Sequence, residues 1–117
     1  VYAMFWQAQE AMKVMGPGAS IIVTASVQAY DPSPDLIQYA ITKAANAAFA
    51  KALAAEAIKS GIRVNAVAPG PFWTALQPSG GATQEKVREF GKSSAFGRPG
   101  QPVEIAPAYV LLASQEG

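Results

Sequence analysis

Two short apolar runs joined by one long helical segment constrain the fold of this 117-residue chain more than any other feature. Residues 20–25 (SIIVTA) are a short, nearly continuous β-branched run, as is typical of a strand buried on both faces of a parallel sheet. Residues 62–68 (IRVNAVA) predict a second strand, with Ile62, Val64 and Ala66 on one face. The segment between them, residues 36–59, has nine alanines from Ala44 to Ala57, and alanine is the best helix former. Strands joined in this way run parallel with a right-handed crossover in nearly every known case. The sequence therefore predicts an α/β fold.

Three further helices are predicted outside this unit. Apolar residues at gaps of three and four predict a helix over residues 1–15, which Gly16-Pro17-Gly18 ends. Shorter helices are predicted near residues 83–90 and 102–114, with Pro107 expected to kink the last one. The resulting order is α-β-α-β-α-α. Two strands make a narrow sheet for four helices, so we expect unpaired strand edges and uncovered apolar helix faces.

The composition excludes several kinds of chemistry within these residues. The chain has neither cysteine nor histidine, so it cannot hold a Ser-His-Asp or Cys-His nucleophile pair, a His/Cys zinc site or a disulfide framework. We expect no metal. The formal net charge is +1 and the basic residues form no block, which argues against nucleic-acid binding. No uninterrupted apolar span or basic signal region is present. We expect a cytoplasmic protein with no membrane partner.

Three groups of residues follow the predicted strands at the edge where open α/β sheets bind ligands. Ser26 follows the first strand, Pro69-Gly70-Pro71 follows the second, and Tyr39 and Lys43 lie four residues apart near the start of the long helix. An ammonium beside a phenol favours the phenolate and makes the pair a suitable general acid/base. A nearby serine hydroxyl can hold a carbonyl or alcohol oxygen. The set fits proton transfer to oxygen during hydride transfer.

Each part of this set also has a purely structural interpretation. A Tyr-x-x-x-Lys pair alone is usually a solvated helix pair, Ser26 alone is typical of a turn or cap, and Pro-Gly after a strand commonly marks a loop. The prediction of a site therefore depends on all three groups occurring together at the correct ends of the correct elements.

The same residues resemble the short-chain dehydrogenase/reductase family. Ser26 precedes Tyr39 by thirteen residues, and residues 39–43 (YAITK) are similar to the family's active-site signature. Residues 62–74 (IRVNAVAPGPFWT) resemble its next strand and nicotinamide loop, and residues 97–106 (GRPGQPVEIA) resemble the start of its next-to-last helix.

Smaller motifs narrow the resemblance to one branch. Residues 26–30 (SVQAY), 32–34 (PSP) and 71–74 (PFWT) resemble the bacterial stress proteins and aldehyde reductases, whose relatives include glucose and ribitol dehydrogenases. The resemblance implies a Rossmann-type, doubly wound parallel sheet, of which residues 1–117 would form an incomplete, catalytic and substrate-loop portion. The family's Gly-x-x-x-Gly-x-Gly fingerprint is absent from these residues. We therefore expect a piece that lacks the N-terminal cofactor half of the domain and is inactive alone. The expected cofactor of the full-length parent is NAD or NADP, and the sequence does not choose between them.

The resemblance also implies roles for individual residues. Tyr39 would exchange a proton with the substrate oxygen, Lys43 would lie beside it and bind the nicotinamide ribose, and Ser26 would fix the substrate oxygen. The implied cofactor-binding residues are Tyr39, Lys43, Pro69, Gly70, Phe72 and Thr74, and the implied substrate-pocket residues are Gln28, Trp73 and Leu76.

The implied substrate is a small alcohol, aldehyde or ketone, and the implied assembly is a homodimer or homotetramer in the parent. The first helix and the alanine-rich helix resemble the pair through which the family packs its subunits. One alternative from another class stays open: the chain could be a non-catalytic fragment that dimerises through these helices. An intact Ser26, Tyr39 and Lys43 set favours the enzyme, because a scaffold does not need it.

Overall fold

The computed structural model describes residues 1–117 and contains five α-helices and one sheet of two parallel strands. The elements in chain order are α1 (Tyr2–Met12), β1 (Ser20–Thr24), α2 (Ile37–Ala57), β2 (Arg63–Val67), α3 (Leu76–Ser79), α4 (Gln84–Glu89) and α5 (Pro102–Ala113), with 3₁₀ turns at Val27–Ala29, Pro34–Leu36 and Ile58–Ser60. The chain divides into a first unit, Val1–Ala68 with Ala108–Gly117, and a second unit, Pro69–Pro107.

The predicted β-α-β unit is confirmed. Strands β1 and β2 pair in parallel, in a register that runs from Ser20 opposite Arg63 to Thr24 opposite Val67. Helix α2 connects them and packs against both. It continues into the 3₁₀ turn Ile58–Ser60, which ends at Gly61 with a left-handed φ of 71°. This conformation is accessible to glycine at little cost, so the predicted stop after residue 59 has a clear cause.

Small side chains on α2 allow it to lie close to the sheet. Ala50 and Ala57 of α2 are buried with Val23 of β1, Val64 of β2 and Ile62 just before β2. Partly buried side chains complete this core around them: Met4, Met12, Met15, Ala19, Ile21, Phe49, Leu53 and Ala54. The core therefore joins α1, α2 and both strands within the first unit.

Several predicted boundaries differ from the structure. Helix α1 ends at Met12 rather than Met15, because the N–H groups of Val14 and Met15 both donate to the Ala11 carbonyl in a closing turn. The short helix α3 was not predicted; the Thr74 hydroxyl accepts a hydrogen bond from the Leu76 N–H at its start. Ala66, expected to share a buried face with Ile62 and Val64, is exposed.

Much apolar surface stays uncovered, as expected for so narrow a sheet. Only Val23 is buried within β1, although the sequence predicted burial on both faces. Each strand pairs only with the other, so the outer edge of each strand has no hydrogen-bonded neighbour within this sheet. On α1, Tyr2 and Trp6 are exposed and stack on each other with ring centroids 5.8 Å apart. No helix combines the length and the apolar character that crossing a membrane would require.

Arg63 caps the end of α5 within the first unit. Its Nη1 donates to the carbonyls of Leu112 (3.0 Å) and Gly117 (2.8 Å), and its Nη2 donates to the Ser114 carbonyl (2.7 Å). The Ser20 hydroxyl also donates to the Leu112 carbonyl at 2.9 Å. The last carbonyls of a helix lack partners within the helix, and a cation there also interacts favourably with the helix dipole.

Glu104 organises the start of α5 within the second unit. Its carboxylate accepts two hydrogen bonds from the Arg98 guanidinium, at 2.8 and 2.9 Å, and one from the Gln101 N–H at 2.6 Å. The hydrogen bonds from Arg98, followed by the one from Gln101, lower the pKa of Glu104 from its ordinary 4.5 to about 2. The ionised carboxylate therefore helps to hold the loop before α5 against the helix.

We expect Arg63→Met to lower the free energy of unfolding by about 1–3 kcal/mol, because it removes charge-assisted hydrogen bonds to otherwise unpaired carbonyls. Urea unfolding of the protein measures the change, and Arg88→Met on exposed α4 is the matched control. Faster amide exchange in the last turn of α5 should accompany the loss. Equal unfolding midpoints for the two variants would contradict a capping role.

Acid should release the start of α5. Since the pKa of Glu104 is lower in the folded protein than its ordinary value, its stabilisation is complete above about pH 4.5 and is lost as the pH falls towards 2. NMR titration of the Gln101 amide should show its hydrogen-bonded shift disappear over this window. In Glu104→Gln, which cannot titrate, the Gln101 shift should be flat; the same transition in that variant would rule out Glu104 as its cause.

Candidate active site

Helix α2 brings the Tyr39 and Lys43 side chains together. The Lys43 ammonium lies 5.6 Å from the centroid of the Tyr39 ring, as their spacing of four residues predicts. Tyr39 is 40% exposed, so its phenol is accessible from solvent. The ammonium lies over the ring face, which is a cation–π arrangement.

The charge of Lys43 is not neutralised by a carboxylate. Three other lysines pair with a glutamate three residues earlier in the chain: Lys13 with Glu10, Lys59 with Glu56 and Lys92 with Glu89. The position three residues before Lys43 is Ala40. The Lys43 ammonium instead donates to a neutral acceptor, the Thr24 carbonyl, at 3.1 Å. Lys43 is therefore held beside Tyr39 by a backbone carbonyl and not by an ion pair.

Ser26 lies on an element that packs against α2. It caps the 3₁₀ turn Val27–Ala29, and this turn contacts α2. Its side chain is buried and accepts a hydrogen bond from the Gln28 N–H at 3.1 Å. A hydroxyl has one donor and two acceptor positions, so this bond leaves the Ser26 O–H available to donate to a ligand oxygen. The structural interpretation of Ser26 as a cap and the functional one are thus compatible.

Three residues that meet at the end of β1 were not predicted as part of a site: Thr24, Asn46 of α2 and Tyr109 of α5. The Thr24 carbonyl accepts from Lys43 and also from the Asn46 side-chain amide, at 3.0 Å, and the Thr24 hydroxyl bonds the Tyr109 hydroxyl at 2.8 Å. Asn46 follows Tyr39 by seven residues, a helical spacing that could have revealed it. Tyr109 is distant in the sequence, and no local signal points to it.

Gln28 helps to shape the loop before α2. Its amide oxygen accepts a hydrogen bond from the Ser33 N–H at 2.7 Å. Gln28 also lines a shallow, largely apolar groove of about 420 Å³ with Pro34, Ile37 and Ile41. Its predicted contact with substrate stays a prediction, and within the chain its amide oxygen has a structural role.

The predicted nicotinamide loop lies in the second unit, immediately after β2. Phe72 pairs with Gly100 in a parallel bridge, supported by hydrogen bonds from the Gly100 N–H to Pro71 (2.9 Å) and from the Trp73 N–H to Gly100 (2.8 Å). A Cβ atom on Gly100 would lie 2.5 Å from the Phe72 ring. Glycine is therefore required here for the Phe72 ring to lie against the loop backbone.

Thr74 forms hydrogen bonds with a residue of the same loop. Its N–H and its hydroxyl both donate to the Gln77 side-chain oxygen, at 2.7 and 2.8 Å. Pro69 and Gly70 precede it and are partly buried, and a Cβ atom on Gly70 would meet nothing within 4 Å. Open space beside Gly70 is compatible with close approach of a ligand to the backbone.

Two predicted pocket residues occupy the following segment of the second unit. The Trp73 ring lies 6.3 Å from the Phe90 ring in a tilted arrangement, and Leu76 at the start of α3 is exposed. Both present apolar surface, as a pocket for a small organic substrate requires.

Comparison with known proteins identifies the family. The family model described as enoyl-(acyl carrier protein) reductase matches residues 1–117. The chain is 57% identical over 116 residues to the uncharacterized oxidoreductase YghA of Escherichia coli, covering 99% of this chain and 40% of that protein.

Two solved structures are also similar. The angucycline C-6 ketoreductase LanV with bound NADP is 33% identical, with a TM-score of 0.84 over 96% of this chain and 43% of that one. A short-chain dehydrogenase/reductase of Brucella melitensis, named as a glucose/ribitol dehydrogenase, is 27% identical, with a TM-score of 0.86 over 98% of this chain and 46% of that one. The chain thus spans less than half the length of these relatives. Because a family model covers all 117 residues and these relatives share the Rossmann-type fold, the chain belongs to the short-chain dehydrogenase/reductase family.

Proposed function

We propose that the protein carrying this chain is an NAD(P)-dependent oxidoreductase that interconverts an alcohol and a carbonyl compound through Ser26, Tyr39 and Lys43. The observation that carries the proposal is the un-neutralised Lys43 ammonium 5.6 Å from the Tyr39 ring, on the helix that follows β1. Membership of the family and the NADP-bound ketoreductase among the similar structures support it.

In the proposed reaction Tyr39 carries the proton. During carbonyl reduction its O–H donates a proton to the substrate oxygen, and during alcohol oxidation its phenolate accepts that proton. Lys43 stabilises the phenolate through its charge and also donates to the ribose of the cofactor. The nicotinamide, when bound, supplies or accepts the hydride. The chain has no histidine to activate Ser26 as a nucleophile, so in this proposal Ser26 is a hydrogen-bond donor that orients the substrate oxygen.

The residues of the first unit fit part of a nicotinamide cofactor. One N–H of the Lys43 ammonium bonds Thr24, and an ammonium has three donors, so the others remain for hydroxyl groups of a ribose. In the second unit, Pro69, Gly70, Phe72 and Thr74 would bind the nicotinamide end. The pyrophosphate normally lies on a glycine-rich turn at a helix N-terminus, and residues 1–117 contain no such fingerprint.

The proposed substrate is a small alcohol, aldehyde or ketone, with Gln28, Trp73 and Leu76 near its carbon skeleton. The cofactor is NAD or NADP. We also propose a cytoplasmic homo-oligomer, packed through the exposed faces of α1 and α2.

The exposed stack of Tyr2 and Trp6 on α1 is the observation that favours the alternative, a non-catalytic fragment that dimerises through its helices. Turnover that depends on Tyr39 separates the two functions, because dimerisation alone does not require that phenol.

In the full-length protein, we expect Tyr39→Phe to lower kcat/KM by about 10²–10⁴-fold, because it removes the proton donor without removing the ring. Cofactor affinity, measured by nicotinamide fluorescence, should change little. Tyr2→Phe removes an exposed phenol on α1 and is the matched control. Near-normal turnover by Tyr39→Phe would remove Tyr39 from the mechanism.

The 117-residue chain by itself should bind NADH or NADPH weakly or not at all, since it lacks a glycine-rich turn for the pyrophosphate. Titration of either cofactor with the chain, followed by nicotinamide fluorescence, measures this, and the full-length protein is the positive control. Saturable micromolar binding by the chain alone would show that the cofactor site lies within residues 1–117.

A further inference from the structure

We infer that Gly100 is a positioning residue for the predicted nicotinamide loop, residues 69–74, because its main chain and its missing side chain together fix the backbone at Phe72. The two residues form a parallel bridge within the second unit. The inference rests on the proposed function, in which the Phe72 main chain binds the nicotinamide end of the cofactor. Both residues lie after the end of β2, so their contact does not depend on which further strands flank the sheet in the full-length protein.

The bridge orients the main-chain polar groups of Phe72. The Gly100 N–H donates to the Pro71 carbonyl at 2.9 Å, and the Trp73 N–H donates to the Gly100 carbonyl at 2.8 Å. In such a parallel pairing the two neighbours of the bridged residue make the hydrogen bonds, and its own N–H and C=O point to the other side. Phe72 thus presents one donor and one acceptor away from Gly100. This pair is the complement of a primary carboxamide, which has one carbonyl oxygen and one NH₂ group.

Gly100 is needed for space and not for its backbone conformation. Its φ lies outside the left-handed region, so other residues could adopt this conformation. A Cβ atom on Gly100, however, would lie 2.5, 2.7 and 3.0 Å from the Cε1, Cδ1 and Cζ atoms of the Phe72 ring. These three atoms form one edge of the ring. A side chain at residue 100 therefore forces either the ring or the bridge to move.

The segment that contains Gly100 is itself anchored. The Arg98 guanidinium donates two hydrogen bonds to the Glu104 carboxylate, at 2.8 and 2.9 Å. On the other side of Gly100, the Gln101 N–H donates to the same carboxylate at 2.6 Å. Gly100 thus lies between two residues that Glu104 holds, and its bridge to Phe72 fixes the loop against this anchored segment.

The nicotinamide loop is therefore ordered before a cofactor binds. A loop that already has its bound conformation loses less conformational entropy on binding, so its ligand binds more tightly. Gly100 acts on the cofactor through the Phe72 main chain and does not touch the cofactor itself.

The first test uses the unmodified full-length protein without cofactor. The Trp73 amide proton should exchange slowly with solvent, because the Trp73 N–H is bonded to the Gly100 carbonyl although Trp73 itself is exposed. Addition of NADH or NADPH should change that rate little. Fast exchange that becomes slow only when the cofactor is added would show that the cofactor orders the loop, and it would overturn the inference.

The second test is a double-mutant cycle between Gly100 and Phe72 in the full-length protein. We expect Gly100→Ala to raise the Kd for NADH or NADPH, measured by nicotinamide fluorescence, by about tenfold and to speed exchange of the Trp73 amide, because the loop loses its order. In the Phe72→Val background, which has no ring to displace, Gly100→Ala should change the Kd by less than about twofold. Any effect of Phe72→Val by itself cancels in this comparison.

Gly16→Ala is the matched control. Gly16 also has a φ outside the left-handed region, and a Cβ atom there would meet nothing within 4 Å. This variant should leave the cofactor Kd and the exchange of the Trp73 amide unchanged. An equal rise of the Kd for Gly100→Ala in both backgrounds, or no rise in either, would contradict positioning through the Phe72 ring.

Thermal unfolding and the activity of Tyr39→Phe are measured in parallel. A Kd that rises only as far as thermal stability falls would show a structural role for Gly100 and overturn the inference. Full activity of Tyr39→Phe, or a full-length protein that binds neither NADH nor NADPH, means that the proposed function fails. Cofactor binding and an inactive Tyr39→Phe, together with a Gly100→Ala variant that behaves like Gly16→Ala, mean that only the role of Gly100 fails.

Discussion

Close packing of the alanine-rich face of α2 against the two strands is the constraint on which the rest of the structure depends. The buried methyl groups of Ala50 and Ala57 let the helix lie near Val23 and Val64. Because the helix cannot rotate without exposing those methyl groups, the first turns of α2 also have a fixed orientation. Tyr39 and Lys43 are therefore positioned by the same burial that stabilises the sheet, and a larger residue in this face would disturb both.

The sequence predicted those features that depend on local pattern. The short apolar β-branched runs and the alanine content of α2 each have a short-range physical cause, and so does the four-residue spacing of Tyr39 and Lys43. Boundaries were less predictable, because the closing turn of α1 depends on which N–H groups share the Ala11 carbonyl. The partners of Arg63 and Tyr109 were not predictable, since they depend on tertiary contacts with distant carbonyl and hydroxyl groups.

Two of these tertiary features follow one physical rule. Arg63 donates to carbonyls at the end of α5, where helical partners run out, and Lys43 and Asn46 donate to the Thr24 carbonyl at the end of β1. In both places a cationic side chain donates to a main-chain carbonyl at the end of an element. The ends of elements are thus positions where long basic side chains find carbonyl acceptors.

The choice of a neutral acceptor has a chemical consequence for Lys43. A carboxylate would hold the ammonium as firmly as Thr24 does, but it would cancel the field at Tyr39. The pairs at Lys13, Lys59 and Lys92 show that this arrangement is common elsewhere in the chain. At position 40, where such a glutamate would lie for Lys43, the chain has a buried alanine. With the small, buried Ala40 at this position, no carboxylate pairs with Lys43 from there, and its ammonium donates to the Thr24 carbonyl instead. The proposed acid/base role of Tyr39 makes use of this cation.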